Sequence, residues 1–384
     1  MLEKALRGGK VYYAWLALLL AVIAAGVLAW LYQLRHGLGV TGMTRDVSWG
    51  LYIAQFTFMV GVAASAVMVA VPYYFHNHKV FKPVVILGEF LAVSAVVVCM
   101  LFIFVDLGQP ARVLNVLLHP SPHSVMFWDM CVLAGYLLLN ITIGWTMLSA
   151  EKKGVSPPRW AHGLSIAAIP WAVSIHTVTA FLYAGLPGRH YWLSAIMAAR
   201  FLASAFAAGP ALLILICLLL RRRAGLRLED GAVTSLAKVV AYAMAANVFF
   251  FLLEVFTATY SGVPAHAESL SYLFFGLEGL HALTPFMWAA AFLAFAGLTL
   301  LITPRWRRSL TLLPWGLAAV FLACWLDKGV GLVLAGFVPS PFGEVHDYSP
   351  TGIEILILLG VYAIGALVLT ALYKVVIAVR HEEA

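Results

Sequence analysis

Long apolar segments alternate with short polar segments along the whole chain. A helix of about 20 apolar residues spans the hydrocarbon core of a bilayer. Ten runs of roughly that length or longer occur, at 11–32, 47–75, 84–105, 125–149, 164–186, 194–220, 233–260, 271–302, 311–338 and 351–379. The pattern therefore predicts an all-α integral membrane protein with ten transmembrane helices.

The composition agrees with this interpretation. Of the 384 residues, 63% are hydrophobic and 11% are charged, and the mean hydropathy is +0.95. A soluble domain has about half apolar and a quarter charged residues. No loop is long enough for a separate folded domain, and neither a Walker A motif nor a His-Glu-x-x-His motif occurs. These observations argue against a nucleotide-driven enzyme or a zinc peptidase.

The basic residues are distributed unevenly between the two sides of the predicted membrane. If the N-terminus is cytoplasmic, seventeen of the 24 Lys and Arg residues lie in inner segments and only four in outer segments. The positive-inside rule then predicts that both termini are cytoplasmic and that the protein spans the cytoplasmic (inner) membrane. It also explains the net charge of +7 without nucleic acid, because Arg221-Arg222-Arg223 suits a helix end facing the cytoplasm.

A polar stretch separates the predicted third and fourth helices. It carries Asp106, Arg112, His119, His123 and Asp129, groups that a bilayer penalises unless they have partners or a function. A helix rises about 1.5 Å per residue, which places Gln55 of the second helix about 12 Å below the outer end. His176 of the fifth helix lies about 15 Å below it. We therefore expect one outer half-bundle to contain Tyr52, Gln55, Asp106, His123, Asp129 and His176.

This combination suits a quinone, whose two carbonyls need hydrogen-bond donors and whose reduction consumes two protons. A histidine can donate to a carbonyl and exchange protons, and a nearby carboxylate can relay them. We predict that the proton-exchanging residues are His176, Asp129 and Asp106. We predict that the residues contacting the quinone are Gln55, Tyr52, Trp49, Arg112, His123 and Trp128.

Each of these residues also has a purely structural interpretation. Asp106 could pair with Arg112 across the turn, and Asp129 could simply favour the positive end of its helix. His176 could bond a nearby carbonyl or hydroxyl group, and the aromatic residues could serve only for packing. Both interpretations are open on the sequence alone.

A second set of ionisable residues lies in the predicted helices 6–10. A proton path through the protein would use Glu89, Glu254, Glu278, His281 and Asp327. Two structural pairs are possible instead. Asp327 could pair with the adjacent Lys328, although neighbouring residues point to different faces, and Glu89 could pair with Lys238.

The sequence predicts no metal centre in this chain. Its four cysteines lie in apolar runs without Cys-x-x-Cys spacing, which disfavours disulfides, iron–sulfur clusters and c-type haem. Haem b usually needs two axial histidines at matching depth, and only His176 and His281 are predicted to lie deep enough. If the protein moves electrons through metal centres, a partner is expected to carry them.

The order of these motifs resembles the NrfD/PsrC family, the quinone-reactive membrane subunits of polysulfide reductase type. The resemblance is to its ten-helix branch, which includes the membrane subunit of hydrogenase-2, and the stretch 119–140 is most similar to membrane subunit P of the Dsr complex. The residues that carry it are Trp49-Gly50, Gly61, Asp106-Leu-Gly-Gln-Pro-Ala-Arg112, Ser124-Val-Met-Phe-Trp128, His176, Glu254 and Pro350-Thr-Gly-Ile-Glu354.

The resemblance implies two four-helix bundles plus two extra helices. It implies a menaquinone site near the outer face, no haem in this chain, and an outer ferredoxin-like iron–sulfur partner. By family likeness, that site would be framed by Gln55, Asp106, Asp129 and His176. We accordingly divide the chain into a first helix with its outer loop (1–46), a first bundle (47–190), a second bundle (191–340) and a C-terminal helix (341–384).

The expected function is that of a subunit of a menaquinone-linked oxidoreductase complex. It would exchange electrons between menaquinol or menaquinone and the iron–sulfur subunit, with cytochrome and further membrane subunits as additional partners. A Dsr-like complex would belong to sulfur or sulfate metabolism. The alternatives are a transporter or proton channel, favoured by a faint repeat between helices 2–5 and 6–9, and a passive membrane anchor for redox subunits.

Overall fold

The computed structural model describes residues 2–74 and 78–382. Residues 1, 75–77, 383 and 384, which fall within or next to predicted segments, lie outside the described residues. The described chain contains ten helices long and apolar enough to cross a membrane. In chain order, α1 to α10 are Lys10–His36, Leu51–Tyr73, Lys82–Asp106, Val125–Lys152, Arg159–Ala184, Met197–Ala224, Asp230–Tyr260, Thr284–Ile302, Leu313–Ala335 and Gly352–His381. The prediction of an all-α, ten-helix membrane protein is confirmed.

The predicted eighth helix begins too early. In place of one run from 271, the structure has a short helix, Pro264–Phe274, and α8 begins only at Thr284. Between them the backbone has positive φ angles at Gly276, Glu278 and Gly279, which a helix cannot contain. The apolar side chains of this turn gave it the hydropathy of a membrane span.

The eight middle helices form two rings of four. In the first ring α2, α3, α4 and α5 each contact the next, and α5 returns to α2; in the second, α6 to α9 do the same. The rings meet through α2 and α5 on one side and α6 and α9 on the other. This is the arrangement of two four-helix bundles that the resemblance implies, while the domain boundaries at 46, 190 and 340 stay predictions.

The remaining helices, α1 and α10, pack against each other beside α3. A methyl group added at Gly26 of α1 would lie only 2.6 Å from the Cα atom of Gly360 in α10, so glycine permits the two backbones to touch. Ser94 Oγ and Tyr373 OH donate across the α3–α10 contact, to Gly365 O and Leu87 O, each at 2.7 Å.

Both described ends of the chain lie at the same end of the helix array, because Lys374 Nζ sits 5.1 Å from the ring centroid of Tyr12. We call this end the terminal face; it includes 2–9, 78–81, 153–158, 225–229 and 303–312. The opposite end, the distal face, includes 37–50, 107–124, 185–196, 261–283 and 336–351. The cytoplasmic location of the terminal face stays a prediction from the positive-inside rule.

A buried carboxylate holds two loops of the distal face together, 37–50 and 336–351. Glu354 accepts hydrogen bonds from Tyr348 OH (2.5 Å), Gly42 N (2.7 Å) and Thr351 N (2.8 Å). Tyr348 OH in turn accepts from Leu51 N, the first residue of α2, at 2.8 Å. Burial and the bond to Glu354 raise the pKa of Tyr348 above its ordinary value, so the hydroxyl stays a donor. The start of α2 is thereby fixed beside the candidate site.

Candidate functional site

The distal half of the first ring contains a group of buried polar side chains. Asp129 lies one turn into α4 and accepts a hydrogen bond from Thr179 Oγ1 of α5 at 2.6 Å. His176 lies three residues before Thr179, and residues so spaced share one face of a helix. The structure therefore brings the predicted Asp129 and His176 to the same α4–α5 contact.

His176 is completely buried, and only one of its two ring nitrogens has a hydrogen-bond partner. Its Nδ1 lies 2.8 Å from the carbonyl oxygen of Ala172. A carbonyl oxygen can only accept, so Nδ1 carries the hydrogen, and Nε2 of the neutral ring presents a lone pair. Nε2 is buried and has no hydrogen-bond partner. The structural interpretation of His176 thus accounts for one nitrogen and leaves the other without a partner.

Gln55 shows the same pattern. Its Oε1 accepts from Trp325 Nε1 of α9 at 2.6 Å and from Tyr362 OH of α10 at 2.7 Å. These donors define which end of the amide is oxygen, and the buried Nε2 is left without a partner. Sequence reasoning missed both aromatic partners, since nothing in two apolar helices more than 250 residues away marks them as neighbours of Gln55.

Asp106, at the end of α3, completes the buried group. Its Oδ1 is buried without a hydrogen-bond partner, and no bond or ion pair joins it to Arg112 in the part of the chain that the structure describes. The structural pair considered from the sequence is therefore wrong. Nearby, Tyr52 OH donates to Gln33 Oε1 of α1, and Gln33 Nε2 donates to Val105 O, both at 2.7 Å. Gln33 was not among the predicted site residues.

Aromatic side chains pack together where the two rings of helices meet. Trp49 stacks on Trp192 and meets Tyr183 edge-on, with both centroid distances at 5.5 Å. Tyr183 OH forms a hydrogen bond with Thr57 Oγ1 of α2. Trp49 thus packs against Tyr183, which links α5 to α2 through Thr57.

The structure does not bring Arg112, His123 and Trp128 to the buried group. All three side chains are exposed on or beside the distal face, and Trp128 Nε1 donates locally to Pro122 O at 2.8 Å. Their predicted role as direct quinone contacts has no support in the geometry. They form part of an exposed surface instead.

The second ring holds a buried ion-pair network. Arg200 of α6 is paired with Glu254 of α7 and lies 3.1 Å from both carboxylate oxygens of Asp327 in α9. The following residue, Lys328, points away from Asp327. Its Nζ is 3.4 Å from Phe201 O, and a methyl group added at Gly61 of the first ring would be 3.3 Å from it. Asp327 and Lys328 therefore do not form the local pair considered as an alternative.

A π-helical segment, Trp325–Gly331, produces this separation. Such segments shift the side-chain register within a helix and are frequent at functional sites. Here the segment directs Asp327 into the second ring and Lys328 to the boundary between the rings. Trp325, which holds Gln55, is its first residue.

The residues of the predicted proton path do not form one group. Glu89 is buried in the first ring, and its Oε2 has no partner. Glu254 and Asp327 share Arg200, whereas Glu278 and His281 are exposed on the distal face because α8 begins after them. This placement also separates His281 from His176, which removes the geometric basis for a haem b pair.

The structure also excludes the possible pair of Glu89 with Lys238. Lys238 is exposed, and its Nζ lies 5.6 Å from the ring centroid of Tyr242, one turn further along α7. Among the described residues, no hydrogen bond or ion pair joins Lys238 to Glu89.

An apolar groove of about 430 Å³ reaches the residues that orient Gln55. It lies between α2, α3, α6, α9 and α10, with walls that include Phe58, Val98 and Leu369. Trp325 and Tyr362, the two donors to Gln55 Oε1, also line it. An apolar chain lying in the groove would therefore end beside the polar group of the first ring.

Residues 39–338 match the family described as "Polysulphide reductase, NrfD". A protein of Halobacterium salinarum that is named as a membrane subunit of dimethyl sulfoxide reductase is 28% identical, covering 94% of this chain and 91% of its own length. The Hdr-like menaquinol oxidoreductase integral membrane subunit of Archaeoglobus fulgidus is 24% identical over 68% of this chain and 64% of its own length.

The integral membrane subunit of the menaquinone reductase of Nitratidesulfovibrio vulgaris is 24% identical, covering 94% of this chain and 91% of its own length. The family match covers most of the chain and both rings of helices. The resemblance drawn from the motifs is thereby confirmed: the chain belongs to the NrfD family of membrane proteins.

Proposed function

We propose that this chain is the quinone-reactive membrane subunit of a redox complex. It exchanges electrons between menaquinol or menaquinone and an iron–sulfur partner subunit on the distal face. The observation that carries the proposal is the set of buried polar atoms without partners in the distal half of the first ring: His176 Nε2, Gln55 Nε2 and Asp106 Oδ1. Two relatives bear names that refer to menaquinol or menaquinone, which supports the choice of quinone.

The unpartnered atoms fit a quinone in chemical type. Leaving a buried polar atom unpaired costs about 1–3 kcal/mol, so a ligand that pairs with it binds favourably. Gln55 Nε2 offers hydrogens to a carbonyl oxygen, and His176 Nε2 offers a lone pair to a hydroxyl group. The apolar groove at Trp325 and Tyr362 suits an isoprenoid tail. When bound, menaquinone would supply the exchange of two electrons and two protons.

The chain's own residues would manage the protons. His176 accepts a proton at Nε2 while Nδ1–H stays bonded to Ala172 O, so the ring keeps its orientation in both charge states. Asp129, held by Thr179 on the same α4–α5 contact, is the second proposed proton carrier. Asp106 lies at the last residue of α3 and can pass a proton to the distal face.

The exposed segment 112–128 is the proposed seat of the iron–sulfur partner. It combines the cationic Arg112 and the histidines His119 and His123 with exposed apolar side chains, including Leu118 and Trp128. Apolar contacts with a polar rim are typical of protein interfaces. Because this segment joins α3 to α4, a partner bound there lies beside the end of α3 that carries Asp106.

The test is His176→Gln, which removes the titrating ring. The complex isolated from membranes is titrated with a hydroxyquinoline N-oxide, a fluorescent quinol analogue, and quinol-dependent reduction of the partner is followed. We expect at least about tenfold weaker binding, or about 1.4 kcal/mol, and loss of turnover in an assembled complex.

The matched control is His162→Gln, an exposed histidine near the start of the same helix, and it should behave like the wild type. Normal turnover of His176→Gln would contradict the assignment. A wild-type complex that assembles but binds no quinol analogue would indicate the passive anchor instead.

The buried network at Arg200 favours one alternative, a proton channel or transporter through the second ring. Vesicles containing the chain without partner or quinol would distinguish it. The proposed function expects no proton flux under those conditions, whereas a channel expects flux that Asp327→Asn abolishes.

A further inference from the structure

A basic cavity opens on the terminal face, away from both rings' buried polar groups. Its volume is about 360 Å³, and it is lined by the ends of α3, α4, α6 and α10 together with the turn after α6. The proposed quinone chemistry uses none of these residues. The cavity is therefore a separate feature that needs its own explanation.

The walls of this cavity are fixed by internal bonds. Arg380 of α10 donates to Glu151 of α4 at 2.7 Å and to Pro83 O of α3 at 2.8 Å. His381 Nε2 lies 3.1 Å from Ala224 O, at the end of α6. Four helix ends are thus joined around a preformed space, and Arg380 is neutralised by Glu151.

Two further cations line the cavity and are not neutralised. Lys82 and Arg227 both have exposed side chains, and neither forms a hydrogen bond or an ion pair within residues 2–74 and 78–382. With Arg380 balanced by Glu151, the cavity carries two net positive charges. Such a space favours an anion that can contact both side chains at once.

The position of the cavity indicates which kind of anion it would bind. Lys82 is the first residue of α3 and Ala224 is the last of α6, so the cavity lies where the membrane helices end. Pro83, Leu226 and Ile377 give it an apolar wall beside the cations. Cations next to apolar surface at this depth match a lipid headgroup, whose phosphate is followed by glycerol and acyl chains.

We propose that this cavity binds the phosphate group of an anionic phospholipid, with Lys82 and Arg227 as its ligands. Basic pockets between membrane helices on the cytoplasmic side suit anionic headgroups, and the cytoplasmic leaflet is rich in such lipids. The bound lipid contacts the ends of α3, α4, α6 and α10 at the terminal face and so links these four helices. A free phosphate ion shares the charge but makes no use of the apolar wall.

The experiment measures lipid binding to the delipidated protein in neutral detergent by native mass spectrometry. Phosphatidylglycerol and cardiolipin are compared with phosphatidylcholine. We expect the wild type to prefer the anionic lipids and the double variant K82Q/R227Q to bind them about tenfold more weakly. The control R305Q/R308Q removes two exposed charges from the same face outside the cavity, and it should change binding less than about twofold.

Four results would overturn the proposal. Equal losses in both double variants would mean that diffuse surface charge attracts the lipid, and no loss in K82Q/R227Q would mean that the cavity holds none. Displacement of the lipid by millimolar inorganic phosphate would identify a small-anion site. The conservative variant K82R/R227K should retain binding, which separates lost charge from misfolding; failure of this variant while it melts like the wild type would also contradict the proposal.

Discussion

The two rings have the same helix arrangement, but they differ in whether their carboxylates are paired with a cation. In the second ring Arg200 is shared by Glu254 and Asp327, so each carboxylate faces a cation. In the first ring Glu89, Asp106 and Asp129 have no cationic partner among the described residues. The second ring pairs its carboxylates with one arginine, whereas the carboxylates of the first ring have no cation; buried polar atoms without partners occur in both rings, in the second at Asn247 Oδ1 and Glu254 Oε1.

The difference indicates where a ligand is needed. A charge network that is complete without a ligand contributes to folding, and removing one member leaves the others uncompensated. Polar atoms that remain unpaired cost stability in the ligand-free protein and are retained at sites that bind something. We therefore expect substitutions at the paired charges of the second ring to affect mainly stability, and substitutions at the unpaired carboxylates of the first ring to affect mainly binding.

The largest effect is expected at Arg200. The variant Arg200→Met leaves Glu254 and Asp327 buried without a cation, which costs about 3–5 kcal/mol. Thermal unfolding of the purified protein should show a strongly lowered midpoint or a loss of folded material. The triple variant R200M/E254Q/D327N should recover much of that stability, because no charge is left unpaired. If Arg200→Met is as stable as the wild type, the second ring is not held by its charges.

An intermediate effect is expected at Glu354, whose carboxylate holds the distal loops that fix the start of α2. In Glu354→Gln, an amide NH₂ group faces backbone N–H donors, and we expect a loss of about 1.5–3 kcal/mol. Proteolysis of the segments 37–50 and 340–351 should become faster. The exposed Glu344 of the same loop provides the control, since Glu344→Gln should leave both measurements unchanged.

The smallest effect on stability is expected at Asp106. Because its Oδ1 has no partner, Asp106→Asn should change the free energy of unfolding by less than about 0.5 kcal/mol or raise it slightly. Binding of the quinol analogue should nevertheless weaken several-fold. A large loss of stability would mean that the first ring, like the second, depends on its buried charge.

The hydropathy pattern was sufficient to predict most of the helices and the depth of the candidate site residues. Nine of the ten helices begin and end near their predicted limits, and distance along a helix placed Asp129, His176 and Gln55 in one half of one ring. It failed between 271 and 283, where positive φ angles at glycines, and not polarity, end the helix.

Contacts between distant helices could not be predicted in this way. A helix that is apolar on all sides has no polar stripe from which its rotation can be read. For that reason the sequence did not indicate that Trp325 and Tyr362 turn towards Gln55, or that Gln33 of α1 reaches Tyr52. The side chains that orient the candidate site are those that periodicity leaves undetermined.

The contact between α1 and α10 has a consequence for biosynthesis. Only 17% of the most apolar part of α1 is buried. Its main neighbour is α10, which follows both rings in the chain. During translation α1 therefore enters the lipid long before its Gly26 can meet Gly360. The eight helices of both rings are synthesised before α10, so α1 can pack against α10 only at the end of synthesis.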